Sequence, residues 1–162
     1  MTARPAVIVL AAGRGTRFGD VDHKLAQNLG AFSVLGTTLR HAIASELPVI
    51  VVTTEALSEL AKRTVAAGDV IIVPEPGAPG HPEAGMGYSI ACGVTARANA
   101  AGWVILPGDM PLVQPSSLVA VARQLNQHPV VCAQYKGRRG HPVGFGAELY
   151  SELALLTGDD GT

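Results

Sequence analysis

A surplus of one charge is what this sequence most plainly lacks. Twelve Lys and Arg stand against thirteen Asp and Glu, for a formal net charge of −1. That balance speaks against a nucleic-acid or membrane-surface partner, since either would need a broad basic face. Lysine is scarce, at Lys24, Lys62 and Lys136 only. Aromatic residues make up 4% of the chain. The two cysteines, Cys92 and Cys132, lie in apolar surroundings without C-x-x-C spacing, which predicts two buried free thiols in a reducing, cytoplasmic setting. No apolar run approaches the ~20 residues that span a bilayer. The stretch Ala6–Ala12 after Arg4 has the outline of a short signal peptide, but it runs straight into a Gly/Arg loop that makes better sense kept than cleaved.

What remains is a chain of 162 residues, 48% of them apolar, with 19 Gly and 11 Pro scattered between the apolar runs. This is the composition of one globular α/β domain with many sharp turns. Strands are predicted at Ala6–Leu10, Val49–Thr53, Val70–Val73, Val104–Leu106 and Val130–Gln134. Helices are predicted over 39–45 (opened by Thr38), 55–66 (opened by Thr54), 88–100, and 116–125 with Pro115 in the first turn. Strands apolar throughout and alternating with helices imply a mostly parallel sheet covered on both faces, a three-layer αβα sandwich of Rossmann-like kind. The stretch from Pro74 to Gly87 holds four Pro and four Gly, and an insertion of that length in a compact domain is usually a functional loop.

In an open parallel sheet ligands bind beyond the carboxyl ends of the strands. The first strand ends in Leu10-Ala-Ala-Gly-Arg-Gly-Thr-Arg-Phe-Gly19, with Lys24 following. Gly13 and Gly15 let backbone amides approach an anion, and Arg14, Arg17 and Lys24 add positive charge. The pattern is neither the Walker loop, which needs Gly-Lys-Ser/Thr, nor the dinucleotide fingerprint, whose third glycine is misplaced here. A glycine turn with solvated arginines is the plain alternative. The strand at 104–106 ends in Pro107-Gly-Asp-Met-Pro-Leu112, which places Asp109 either as a helix cap or as a cation ligand. Between them, Gly85-Met-Gly-Tyr-Ser89 precedes a helix that Ser89 could simply cap.

Together these three elements resemble the nucleotidyltransferases of the molybdenum-cofactor cytidylyl/guanylyltransferase (MobA/MocA-like) family. The resemblance implies that the first loop holds the triphosphate through Leu10, Ala11, Ala12, Gly13 and Gly15, while Arg17 and Lys24 neutralise charge during transfer. It implies that Asp109 holds Mg²⁺, and that Gly85, Gly87 and Ser89 contact the base or ribose. Arg138-Arg-Gly-His-Pro-Val-Gly-Phe145 and Leu156-Thr-Gly-Asp-Asp160 resemble the narrower cytidylyltransferase subset, which would put Arg139 and His141 beside a pterin-type acceptor. On its residues alone His141 reads as structural. The nucleotide is CTP or GTP, with CTP favoured only through the 140–145 element; a molybdoenzyme is a further conceivable partner. Family members usually continue by a strand and helix carrying an acid that completes the metal site. The expected domain, residues 1–162, stops short of that element, with Asp159 and Asp160 as its late acids.

Three other readings compete. Ser89, Asp109 and His141 follow the chain order of an α/β-hydrolase triad, although a Gly/Pro loop precedes the serine where the elbow needs a strand. His81-Pro-Glu83 suggests a zinc deaminase but lacks the Pro-Cys-x-x-Cys that must follow. A non-catalytic nucleotide-binding relative, acting in molybdoenzyme maturation, is the third.

Overall fold

The computed structural model describes residues 3–13, 28–29 and 32–158. Its frame is a six-stranded sheet. Ala6–Ala11 (β1) lies in its interior, every residue buried, so the apolar run after Arg4 is the central strand. Asn28–Leu29 (β2) and Phe32–Ser33 (β3) form a separate short antiparallel ladder. They are followed by α1 (Val34–Ala44), β4 (Val49–Thr53), α2 (Glu55–Lys62), β5 (Val70–Ile72), α3 (Met86–Ala96), β6 (Gly102–Pro107), α4 (Pro115–Gln124), β7 (Val130–Tyr135), β8 (Arg138–Gly146) and α5 (Tyr150–Ala154).

The sheet order is β5-β4-β1-β6-β8-β7. β1 pairs in parallel with β4 (Ile8 opposite Ile50) and with β6 (Ile8 opposite Ile105), and β4 in parallel with β5. β8 then runs antiparallel to β6, and β7 antiparallel to β8. Alternation along β1 supplies both cores. Val7, Val9 and Ala11 pack with Leu35, Leu39, Leu57 and Leu118. Ala6, Ile8 and Leu10 pack on the other face with Ile90, Val94, Trp103 and Leu153. The three-layer αβα sandwich is therefore the observed architecture.

Several boundaries differ from the sequence reading, each for a local reason. Helix α1 begins at Val34, because Ser33 is its N-cap and accepts from the Gly36 amide at 2.9 Å. Thr38 lies inside the helix, fully buried, with its hydroxyl 2.8 Å from the Gly108 carbonyl oxygen. Helix α2 stops at Lys62, before the β-branched pair Thr64-Val65, which is crowded in a helix. Helix α3 spans Met86–Ala96, with Gly85 as N-cap. Ser89 therefore does not open it.

The β7–β8 hairpin was predicted only in its first strand. Its turn, Lys136-Gly137, has φ of 51° and 80°, the geometry of a two-residue primed turn. Sequence reading looks for Asn-Gly or Asp-Gly there, and Lys in the first position hides the signal. β7 lies at the sheet edge and is largely exposed, so Cys132 is exposed while Cys92 is only half-buried. The expectation of two buried thiols is thus corrected: a thiol at an edge strand meets solvent. Burial also pushes the Cys92 thiol above its ordinary pKa, so less of it is the reactive thiolate. Under native conditions a thiol reagent should label Cys132 at least about tenfold faster than Cys92. Equal rates, read by peptide mass mapping, would contradict this placement.

Candidate active site at the carboxyl edge of the sheet

β1 and β6 both end at one edge, and a hydrogen bond ties their ends together. The Gly108 amide donates to the Leu10 carbonyl at 2.7 Å. A Cβ on Gly108 would sit 3.0 Å from that carbonyl oxygen, 3.1 Å from Leu35 Cδ1 and 3.3 Å from Ala11 Cβ. Only glycine fits this approach without displacing a neighbour. Thr38 holds the Gly108 carbonyl from the other side. The turn carrying Asp109 is thus fixed against the start of the glycine loop, and Asp109 itself is exposed there. Thr53, at the end of β4, donates through its hydroxyl to the Ala11 carbonyl at 2.9 Å.

Leu10, Ala11 and Ala12 bury their side chains in the two cores. Contact with a ligand therefore falls to their backbone. Gly13 is exposed at the start of the loop. Gly15, Arg17 and Lys24 lie outside the described residues, as do Arg14, Asp159 and Asp160.

β8 delivers the second group of residues. Its ladder with β7 jumps between Cys132–Val143 and Ala133–Gly140, leaving His141 and Pro142 as the extra residues of a bulge. Pro142 has no amide to give to a ladder, and bulges are where strands tolerate this. Pairing with β6 reaches only Ile105–Val143, so His141 stands beyond that ladder, toward the turn that carries Asp109. The two are electrostatically coupled: burial holds the His141 imidazole below its ordinary pKa, and the Asp109 charge acts in the opposite direction. Arg139 is exposed on the same strand, opposite Gln134.

The third group stands at the start of α3. Gly87 is buried, and Ser89 is 3% exposed inside the helix, its amide bonded to the Gly85 carbonyl at 2.9 Å. A nucleophile elbow needs an exposed serine on a strand-to-helix turn, so the hydrolase reading is not supported by this geometry. His81 and Glu83 pair with each other at 3.0 Å, and among the described residues no three His, Cys, Asp or Glu side chains converge on one point. Asp109 alone is still a fitting hard-oxygen ligand for Mg²⁺, which commonly takes one or two carboxylates plus waters and substrate phosphates. Thr54 is the N-cap of α2, as its sequence position predicts, but its side chain makes no cap bond. Its hydroxyl is buried and has no hydrogen-bond partner among the described residues.

The depressed His141 pKa has a consequence for stability. Folding favours the neutral ring, whereas the unfolded chain takes up its proton near the ordinary histidine value of 6.5. This contribution is therefore complete above about pH 6.5 and is lost as the pH falls through the lower folded-state value. Urea midpoints taken from pH 8 to pH 5 should fall less for His141→Asn than for the wild type. Parallel profiles would contradict the burial of this imidazole.

A carboxylate turn fixed against the end of the first strand, at the carboxyl edge of parallel strands, is where an open α/β sheet places its ligand site. The chain belongs to the family of the MobA-like NTP transferase domain, whose model matches residues 7–162. It is similar to the bifunctional protein GlmU of Cereibacter sphaeroides, with 30% identity over 91% of this chain and 33% of that protein. GlmU of Corynebacterium aurimucosum is 33% identical over 75% of this chain and 25% of that protein. The chain thus spans a third or less of the length of these relatives. Among solved structures, Rv0371c from Mycobacterium tuberculosis H37Rv superposes with a TM-score of 0.80 at 27% identity, over 99% of this chain and 81% of that one. A homologue of Rv0371c from Mycobacterium sp. strain JC1 gives 0.82 at 25%, over 99% and 79%. A manganese complex of Rv0371c gives 0.75 at 25% identity, over 98% of this chain and 79% of that one. Among the described residues no helix is long and apolar enough to cross a membrane.

Proposed function

We propose that this chain transfers a nucleoside monophosphate from a nucleoside triphosphate to a phosphorylated acceptor and releases pyrophosphate. CMP is the favoured group and GMP the second; the favoured acceptor is molybdopterin or the molybdenum cofactor. The observation that carries the reading is the junction of the two strand ends, where the Gly108 amide meets the Leu10 carbonyl at 2.7 Å and holds the turn of Asp109 against the end of β1.

In this reaction a terminal phosphate oxygen of the acceptor attacks the α-phosphorus in line, a new P–O bond forms, and the bond to pyrophosphate breaks. No protein nucleophile is required. Amides of residues 10–15 would receive the triphosphate, and Arg17 and Lys24 would stabilise the charge that grows on the leaving pyrophosphate. Asp109 would hold Mg²⁺, which when bound neutralises phosphate charge and orients the oxygens. His141 and Arg139, on the strand that flanks the Asp109 turn, would face the acceptor. Gly85 and Gly87 would line the base.

The reading is tested by incubating the chain with α-³²P-labelled CTP or GTP, Mg²⁺ and molybdopterin. Label should pass to the pterin with pyrophosphate released one for one. Pyrophosphate release matched by free nucleoside monophosphate, with no labelled pterin, would remove the acceptor from the proposal. Absence of any release under conditions where the nucleotide binds would remove the transfer itself.

A further inference from the structure

The motif Leu156-Thr-Gly158 has no part in the chemistry above, yet the fold brings it to the candidate base site. The Gly158 amide donates to the Glu83 carbonyl at 2.8 Å, and the Gly158 carbonyl accepts from the Tyr88 amide at 3.2 Å. One residue thereby bridges both flanks of Gly85, two positions before it and three after.

The need for such a bridge follows from the helix. First-turn amides of an α-helix have no partner within it. A side chain at the N-cap normally takes one of them, but the N-cap of α3 is Gly85, which makes no side-chain cap. The Ser89 amide is bonded within the helix to the Gly85 carbonyl, whereas the Tyr88 amide reaches outside it to Gly158. The donor segment is itself anchored. Leu153 is buried in the same core as Ile90 and Val94 of α3, and Leu156 and Tyr150 pack against that core.

Gly158 can make both bonds because its φ is +53°, and a Cβ placed there would meet nothing within 4 Å. The selection for glycine is therefore one of backbone conformation and not of space. A β-branched residue is strongly disfavoured at such φ, while Asn tolerates it.

We infer that Gly158 is a positioning residue for nucleotide-base recognition, holding the Glu83–Tyr88 segment in the shape that selects the base. This rests on the reading that Gly85 and Gly87 line the base. The two ideas fail in different ways in one experiment, calorimetric titration of the 162-residue chain with CTP, GTP, ATP and UTP in Mg²⁺. The wild type should separate its best from its worst nucleotide by about tenfold or more in Kd. Gly158→Val should compress that ratio below about threefold while still melting cooperatively, and Gly158→Asn should restore it to within about twofold of wild type. Gly158→Ala serves the same comparison if the valine variant does not fold.

A Gly158→Val chain with the wild-type ratio would overturn the inference. So would one in which all four affinities fall by a common factor, since that is the mark of a merely structural role. A wild type that binds nucleotides without discriminating among them would instead remove the base site itself, and the inference with it.

Discussion

Asp109→Asn should lower kcat by at least about 10²–10³-fold, the scale on which removal of one preorganised electrostatic contact slows group transfer. The substitution keeps the size of the side chain and deletes its charge. Asp109 is exposed in the turn after β6, where a substitution of equal size disturbs the fold far less than one in the core. The fold should therefore survive while turnover does not. The result is checked by steady-state kinetics beside a urea melt. A variant retaining activity within about tenfold would remove Asp109 from the metal site, because no lost Mg²⁺ ligand is that harmless. Loss of activity together with loss of cooperative unfolding would mean that the turn, and not the carboxylate, had been probed.

Trp103→Ala is the second large effect, and it falls on stability. Trp103 is 0% exposed on β6, with its ring 5.9 Å from that of Tyr150. Its indole Nε1 donates to the Arg97 carbonyl at 3.0 Å, where the backbone leaves α3 for β6. Truncation removes the largest fully buried side chain and leaves the partly buried Arg97 carbonyl without its donor. Burying tryptophan-sized cavities costs about 3–5 kcal/mol. For a domain of this length each kcal/mol lowers the melting temperature by roughly 2–4 °C. A loss under about 1 kcal/mol in urea titration would contradict the placement of this residue at the centre of the second core.

What the sequence showed of all this depended on how local the determining physics was. Buried parallel strands are read directly, because both faces are apolar: β4 was predicted at its observed bounds, and β1 falls one residue longer, at Ala11. Proline at the first position of α4 marked that start to within a residue. The start of α1 was misplaced because Thr38 resembles a cap, while the serine that does the capping, Ser33, sits five residues earlier. Thr38 turned out to serve a contact seventy residues away, at the Gly108 carbonyl, which no local pattern can announce.

The site divides in the same way. Glycine and carboxylate motifs at strand ends were legible, since the chemistry restricts which residues can stand there. Their joining through Gly108 and Leu10 was not, because it depends on β1 and β6 being neighbours in the sheet. The bulge at His141-Pro142 was equally hidden. A strand containing proline reads poorly as a strand, and β8 was noticed for its motif alone. The Gly158 bridge combines both difficulties, being a backbone contact made across tertiary structure by a residue without a side chain.

The central claim is that the carboxyl edge of β1 and β6 binds a nucleoside triphosphate with Mg²⁺. Thermal-shift titration of the 162-residue chain with CTP, GTP, ATP and UTP, each with and without Mg²⁺, tests it most directly. At about 100 times the dissociation constant a ligand stabilises the fold by roughly 2.7 kcal/mol, which is several degrees here. The account predicts a Mg²⁺-dependent shift of that size, largest with CTP or GTP and diminished in Asp109→Asn. No shift with any of the four, up to millimolar nucleotide and Mg²⁺, would contradict it.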